Sequence, residues 1–258
     1  MFKNTRLRTT TMLIIVILLI FSILFIIFDT NILKNDVNFS FSEAVERQKG
    51  EGVINTKEHN GKFIHAEDNE IEKAMSIKHG DNSLKYMDIS EKVPMSKKEV
   101  NTILKDKGIL EPQGHTFIKA QDKYEVNIIY LISHALVETG NGTSELAKGI
   151  KEGQQHYYNI FGIGAFDENA VHTGKSYAKQ EKWTSPEKAI IGGASFVRYH
   201  YFKNNQLTLY QMRWNPQNPG QHQYASDINW VDNIADIMKK YYEGYGIKKE
   251  KIRKKYYK

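Results

Sequence analysis

A glutamate that closes an apolar run and is followed by a glycine-rich turn has the surroundings of a general acid, and Glu138 is such a residue. Cleavage of a glycosidic bond requires a carboxylic acid that is still protonated near neutral pH, and desolvation at the end of an apolar helix supplies one. Leu136 and Val137 precede Glu138, and Thr139, Gly140, Asn141 and Gly142 follow it. The side chain is therefore bounded by packing on one side and by tight-turn backbone on the other. A helix-end glutamate that simply reaches solvent shares this local pattern. Other chemistries are poorly served. His134 and Glu138, four residues apart, share a helix face, but one His and one Glu are too few ligands for zinc, and there is no His-Glu-x-x-His run. Gly193-Ala194-Ser195-Phe196 lacks the second glycine of a nucleophile elbow. The chain has no cysteine, which excludes thiol nucleophiles, thiolate zinc sites and disulfides. Neither a metal nor a cofactor is expected.

The elements that must position these groups are read from periodicity and end signals. Glu125 to Glu138 is nearly continuous in apolar side chains, as in a helix buried on most sides, and Gly140 ends it. Ser40 with Glu43 and Ser96 with Glu99 match capping boxes for two earlier helices. Thr143 caps a short helix through Lys148, and Tyr157 to Phe166 reads as a turn-rich loop leading into a small hairpin. Ser185-Pro186-Glu187 begins a helix through about Phe202. Ser226 caps the last helix, whose apolar stripe is Trp230, Ile234, Ile237, Met238 and Tyr241. Paired strands around Asn60-Gly61 are a further expectation.

Met12 to Phe28 is a run of 17 residues in which Ser22 alone is polar, enough to cross a bilayer with the threonines before it. Lys3, Arg6 and Arg8 precede the run, so the positive-inside rule leaves a short cytoplasmic N-terminus and places the rest outside the cell. No small-x-small cleavage site follows Phe28, and the segment reads as an uncleaved anchor. The net charge of +6 is concentrated in residues 248–258, which carry seven bases and one acid. Outside a cell such a tail suits anionic wall polymers or lipid head groups rather than nucleic acid, or is a solvated end. The expected organisation is a cytoplasmic segment 1–8, a transmembrane anchor 9–28, an extracellular stem 29–84, a catalytic domain 85–246 and a basic tail 247–258.

Three blocks carry a resemblance. Ser133–Ala147 (SHALVETGNGTSELA) resembles the active-site motif of the bacterial endo-β-N-acetylglucosaminidases of glycoside hydrolase family 73. Asn159–Asp167 (NIFGIGAFD) and Gln211–Asp227 (QMRWNPQNPGQHQYASD) are similar to two further blocks of that family, in the same order, and the likeness runs from about Tyr86 to Tyr245. The resemblance implies a mainly α (α+β), lysozyme-like helical domain with a small β-hairpin. It also implies hydrolysis of the β-1,4 bond after N-acetylglucosamine in peptidoglycan, which would shorten nascent strands near the membrane.

The family's acid falls on Glu138 and its tyrosine on Tyr224, whose hydroxyl is expected to position the reacting sugar or a water. An inverting route needs a second carboxylate, for which Asp167, Glu168 and Asp227 are the candidates; a substrate-assisted route uses the N-acetyl oxygen instead and is the one favoured. Asp167 and Glu168 can equally serve a hairpin turn, and Asp227 can equally charge the start of the last helix. Asn159, Phe161, Gly162, Phe166, Tyr201, Arg213, Trp214 and Asn215 are the expected sugar contacts, with rings stacking on pyranose faces and polar groups holding hydroxyls and acetamides. Phe161 and Tyr201 are as well explained as core, and Arg213 as the partner of a surface acid. The expected partners are glycan strands, the membrane through 9–28, and another integral membrane protein through the anchor. A lytic transglycosylase and a non-catalytic wall-binding or scaffold protein are the competing readings.

Overall fold

The computed structural model describes residues 12, 16–20, 22, 38–165 and 170–258. Their elements in chain order are α1 (Phe41–Gln48), β1 (Thr56–His59), β2 (Lys62–His65), α2 (Asp68–Met75), α3 (Lys97–Leu104), α4 (Gly114–Tyr124), α5 (Ile128–Glu138) and α6 (Glu145–Lys148). Then come β3 (Ile150–Glu152), β4 (Gln155–Tyr157), α7 (Ala170–Gln180), α8 (Pro186–Phe196), α9 (Leu209–Trp214) and α10 (Trp230–Gly244). The fold is mainly helical, and β1-β2 and β3-β4 are separate antiparallel hairpins.

Side chains close in sequence set many of the helix starts. Both capping boxes form: Glu43 accepts from the Ser40 N–H and Glu99 from the Ser96 N–H, each at 2.7 Å. Ser185 caps α8, which continues beyond Phe196 through a π-helical turn at Val197–Tyr201. Ser144 rather than Thr143 caps α6, since the Thr143 hydroxyl donates to the Gly140 carbonyl. Ser226 does not cap α10 either. Its hydroxyl bonds that of Thr56, and the helix begins from Asn229 without a side-chain cap. Asn60 and Gly61 both take positive φ, the geometry of the two-residue turn that joins β1 to β2.

The centre of the fold is α5. Asn127 caps it by accepting from the Tyr130 N–H, and the nine residues from Ile128 to Leu136 are all buried. Such a helix must be covered on several sides, and α10 and α4 do so, with α8 packed in turn on α4. Each fully buried Ile or Leu contributes about 1.5–3 kcal/mol in transfer free energy, so this one helix is a large part of the core. The buried Gln121 amide oxygen accepts from the Val93 and Ile128 N–H groups at 2.8 and 3.0 Å, joining α4 to the entry of α5.

Three expectations change. Residues 38–84, the greater part of the expected stem, are folded onto the core. Ala44, Val45, Ala66, Ile71, Met75 and Leu84 are buried, and the Thr56 backbone pairs with Ser226 and Ile228. The basic tail also docks. Ile252 bridges Met87, the Tyr256 ring stacks on Tyr210 with centroids 4.9 Å apart, and the Lys258 N–H reaches the Phe39 carbonyl. Its lysines face water while its tyrosines supply the apolar contact that holds it. The small hairpin at the site lies at 150–157, before the turn-rich loop rather than after it. The expected anchor falls mostly outside the described residues; Met12, Val16 to Ile20 and Ser22 are helical and exposed. Among the described residues no helix is long and apolar enough to cross a membrane.

Candidate active site

Glu138 ends α5 because the chain turns sharply after it: the Gly142 N–H donates to the buried Thr139 hydroxyl at 2.8 Å. Its side chain retains 24% of its exposure, so the carboxyl group is neither sealed in the core nor free in solvent. One oxygen, Oε1, accepts from the indole Nε1–H of Trp230 at 3.0 Å. Trp230 is the first residue of α10, and the packing of α10 on α5 therefore aims the indole. The other oxygen, Oε2, lies against Gly162. A Cβ at that position would fall 2.5 Å from Oε2, and Gly162 also has φ of +63°, so both space and backbone demand glycine.

The loop that carries Gly162 is held from both sides. Asn159, itself buried, donates through Nδ2 to the carbonyls of Ile163 and Gly174 and accepts the Ile163 N–H. Phe161 is fully buried, packed on Gly193 of α8 where a Cβ would be 2.0 Å from its ring. Tyr224 donates its hydroxyl to the Phe161 carbonyl at 3.0 Å and stacks its ring on Trp230, centroids 5.1 Å apart. Tyr201 packs on Tyr224 in turn, at 5.1 Å. Burial, reinforced by Tyr130 and the Glu138 carboxylate, pushes the Tyr224 phenol well above its ordinary pKa, so it remains a neutral donor.

Asp227 is the one expected second carboxylate among the described residues. Phe166, Asp167 and Glu168 lie outside them. Burial raises the Asp227 pKa; the Asn229 N–H and the Arg213 charge oppose that, and the carboxylates of Glu138 and Glu58 add to it. It thus shares an electrostatic neighbourhood with Glu138. Its Oδ1 already accepts the Asn229 N–H at 2.9 Å.

Three expected sugar contacts serve the scaffold instead. Arg213 is wholly buried. It donates to the carbonyls of Asp227 and Ser226 and to the side-chain oxygens of Asn55 and Gln223. It joins the first hairpin, α9 and the approach to α10, and burial pulls its pKa down to about 9 against the opposing pull of Asp227. Trp214 keeps 1% of its exposure beneath that guanidinium, which leaves no ring face for a sugar. Asn215 caps α9 with positive φ and donates to the Gln221 carbonyl. Asn159, Phe161 and Tyr201, also buried, act on the site through the loop and through Tyr224.

Trp230 and His134 are site residues that the sequence reading missed. In the sequence Trp230 is one member of the apolar stripe of the last helix, and His134 shares a helix face with Glu138 but lacks the further ligands of a metal site. The four-residue spacing of His134 and Glu138 was the available signal. Among the described residues no group of three or more His, Cys, Asp or Glu is placed to hold a metal ion.

Residues 114–243 match the family model described as Mannosyl-glycoprotein endo-beta-N-acetylglucosaminidase, the glucosaminidase family. Over 197 residues, 72% of the chain, the sequence is 51% identical to a bifunctional autolysin of Staphylococcus epidermidis, of which it spans only 15%. The crystal structure of S. aureus Autolysin E in complex with the muropeptide NAM-L-ALA-D-iGLU is 66% identical. It superposes with a TM-score of 0.82, covering 87% of this chain and 100% of that one. A catalytic mutant of Autolysin E, a glutamate replaced by alanine, in complex with the disaccharide NAG-NAM matches equally well, with the same TM-score, identity and coverage. On the family match, the identity and the superposition together, this chain belongs to the glucosaminidase family and has its mainly helical, lysozyme-like fold with a small β-hairpin.

Proposed function

We propose that the protein hydrolyses peptidoglycan glycan strands at the β-1,4 bond after N-acetylglucosamine, with Glu138 as the general acid. The observation that carries this reading is the carboxyl group of Glu138, partly exposed, with Oε1 held by the Trp230 indole and Oε2 beside a residue that must be glycine. A carboxyl with one oxygen engaged by the indole and the other set against the bare Cα of a glycine is held in place to deliver a proton to a leaving oxygen. The muropeptide and NAG-NAM complexes of Autolysin E support the substrate class, and its catalytic glutamate mutant supports the role of a glutamate. Tyr224 supports the acid by fixing the Phe161–Gly162 backbone. For the displacement at the anomeric carbon we favour attack by the substrate's N-acetyl oxygen as the protonated leaving group departs, with water then opening the cyclic intermediate, because Asp227 has a raised pKa and an oxygen already committed to Asn229.

Products from uncrosslinked strands test this reading. Reducing N-acetylglucosamine ends, with retained configuration in the first-formed product by NMR, are expected. A muropeptide lighter by one water would instead identify a lytic transglycosylase. Inverted configuration would overturn the substrate-assisted route and make Asp227 the base to examine. A protein that binds strands without shortening them would be a wall-binding scaffold.

We further propose that residues 9–28 anchor the protein in the cell membrane with the catalytic domain outside. The apolar run and the preceding bases support this. Partition of the full chain into the membrane fraction, lost on removal of residues 1–37, is the expected result. Release of the full chain by salt alone would contradict it.

A further inference from the structure

His134 occupies the innermost point of the site, one helical turn before Glu138. Its side chain is wholly buried and walled by the rings of Tyr130, Phe161, Tyr224 and Trp230, with centroids 4.9 to 5.4 Å away. A histidine enclosed by four rings must place its two nitrogens on whatever polar atoms remain. Nδ1 lies 3.1 Å from the Tyr130 hydroxyl. Nε2 makes no hydrogen bond in this structure and lies 3.4 Å from Glu138 Oε1, the oxygen that already takes the Trp230 indole.

The donor and acceptor inventory assigns the tautomer. The buried Tyr130 hydroxyl has two neighbours to choose from, the Met212 thioether at 3.8 Å and His134 Nδ1. A thioether is a weak acceptor and an imidazole nitrogen a strong one, so the phenol donates to Nδ1. Burial above all, with a smaller push from its neighbours, raises the Tyr130 pKa far above its ordinary value and keeps the phenol protonated for that role. The imidazole proton then sits on Nε2, facing Oε1.

We propose that His134 is a positioning residue for the acid: its Nε2–H closes onto Glu138 Oε1 as the carboxylate charge develops. In that step the proton on Oε2 passes to the leaving-group oxygen, which also takes the electron pair of the breaking C–O bond. The negative charge left on Glu138 is gathered on Oε1, where two N–H groups, from His134 and Trp230, receive it. Oε2, beside the bare Cα of Gly162, is the oxygen that holds and delivers the proton. Tyr130 acts one step further back by fixing which nitrogen of His134 carries hydrogen. A bond that is long before reaction and short after it favours the transition state over the bound substrate, which is a kcat effect rather than a KM effect.

The inference rests on Glu138 being the acid, and the test separates the two claims. His134→Phe fills the aromatic enclosure without a donor, while His134→Gln places an amide N–H near the position of Nε2. On glycan strands the Phe variant is expected to lose about 10- to 100-fold in kcat with KM within about twofold of the parent. The Gln variant should regain most of that loss, and near-UV circular dichroism should be unchanged in both. If the Phe variant does not fold, Tyr130→Phe leaves the imidazole in place but frees its tautomer, and a smaller fall in kcat at constant KM is expected. The ¹⁵N shifts of His134 in the parent should report hydrogen on Nε2. The proposal is overturned if His134→Phe keeps its kcat, if the Gln variant falls as far as Phe, or if hydrogen resides on Nδ1. An inactive parent would overturn the assigned activity instead.

Discussion

Gly162 has two constraints that come from different directions, a carboxylate oxygen where its Cβ would be and a left-handed backbone. Gly162→Ala is therefore expected to cost about 1–2 kcal/mol of stability through the backbone. Displacement of the Glu138 carboxyl should lower kcat by about 10²-fold. Melting temperature and kcat measured on the same preparation check both effects. A variant with full activity would show that Oε2 has room to move. Asp227 makes a prediction about pH. Burial raises its folded pKa, so the native carboxyl holds its proton more tightly than the unfolded chain does. The stability this gives is fully present below the unfolded value of about 3.8 and is lost as pH rises through the raised folded value. Asp227→Asn should thus be more stable than the parent near pH 7, with the advantage vanishing in acid. Denaturant titrations at both pH values read it, and a variant less stable at pH 7 would contradict the assigned cause.

The helix ends that depend on residues three or four apart were legible in the sequence: Ser40 with Glu43, Ser96 with Glu99, and Ser185 before Pro186 all do what their spacing predicts. Glu138 at the end of a buried helix was legible for the same reason, since hydrophobic periodicity and the following turn are both local. What could not be read is tertiary. Trp214 and Asn215 read as sugar contacts until α9 forms and turns the tryptophan inward. Ser226 has the form of a cap, yet its hydroxyl is taken by Thr56, 170 residues away. The tail is the largest case. Its charge marks it as solvated, and only the packing of Tyr256 on Tyr210 and of Tyr257 on Phe41 shows it to be a strap joining both ends of the described fold. Tyr256→Ala is expected to destabilise the protein by about 3 kcal/mol, since it empties a buried ring site. Chemical denaturation measures this, and a change below about 0.5 kcal/mol would mean that the strap is dispensable.

At the scale of the whole molecule, folding of the chain from Asn38 onward shortens the tether that the proposed anchor would provide. A flexible stem of about 55 residues would reach on the order of 40 Å in root-mean-square terms. Only residues 29–37 separate the proposed anchor from the folded core, and nine residues fully extended span at most about 30 Å. The site would then work close to the membrane, on strands nearest to it. Inserting a Gly/Ser segment of roughly 40 residues before Asn38 should extend cleavage to more distant wall in cells while leaving activity on soluble strands unchanged. Equal reach with and without the insertion would contradict the tether. All of this depends on one carboxyl group, and Glu138→Gln tests it most directly because it keeps the shape and removes the proton that must be transferred. Parent and variant compared on uncrosslinked glycan strands should differ by about 10³-fold or more in kcat, with strand binding and melting temperature retained. A Glu138→Gln protein that still releases N-acetylglucosamine ends at the parent's rate would contradict the account.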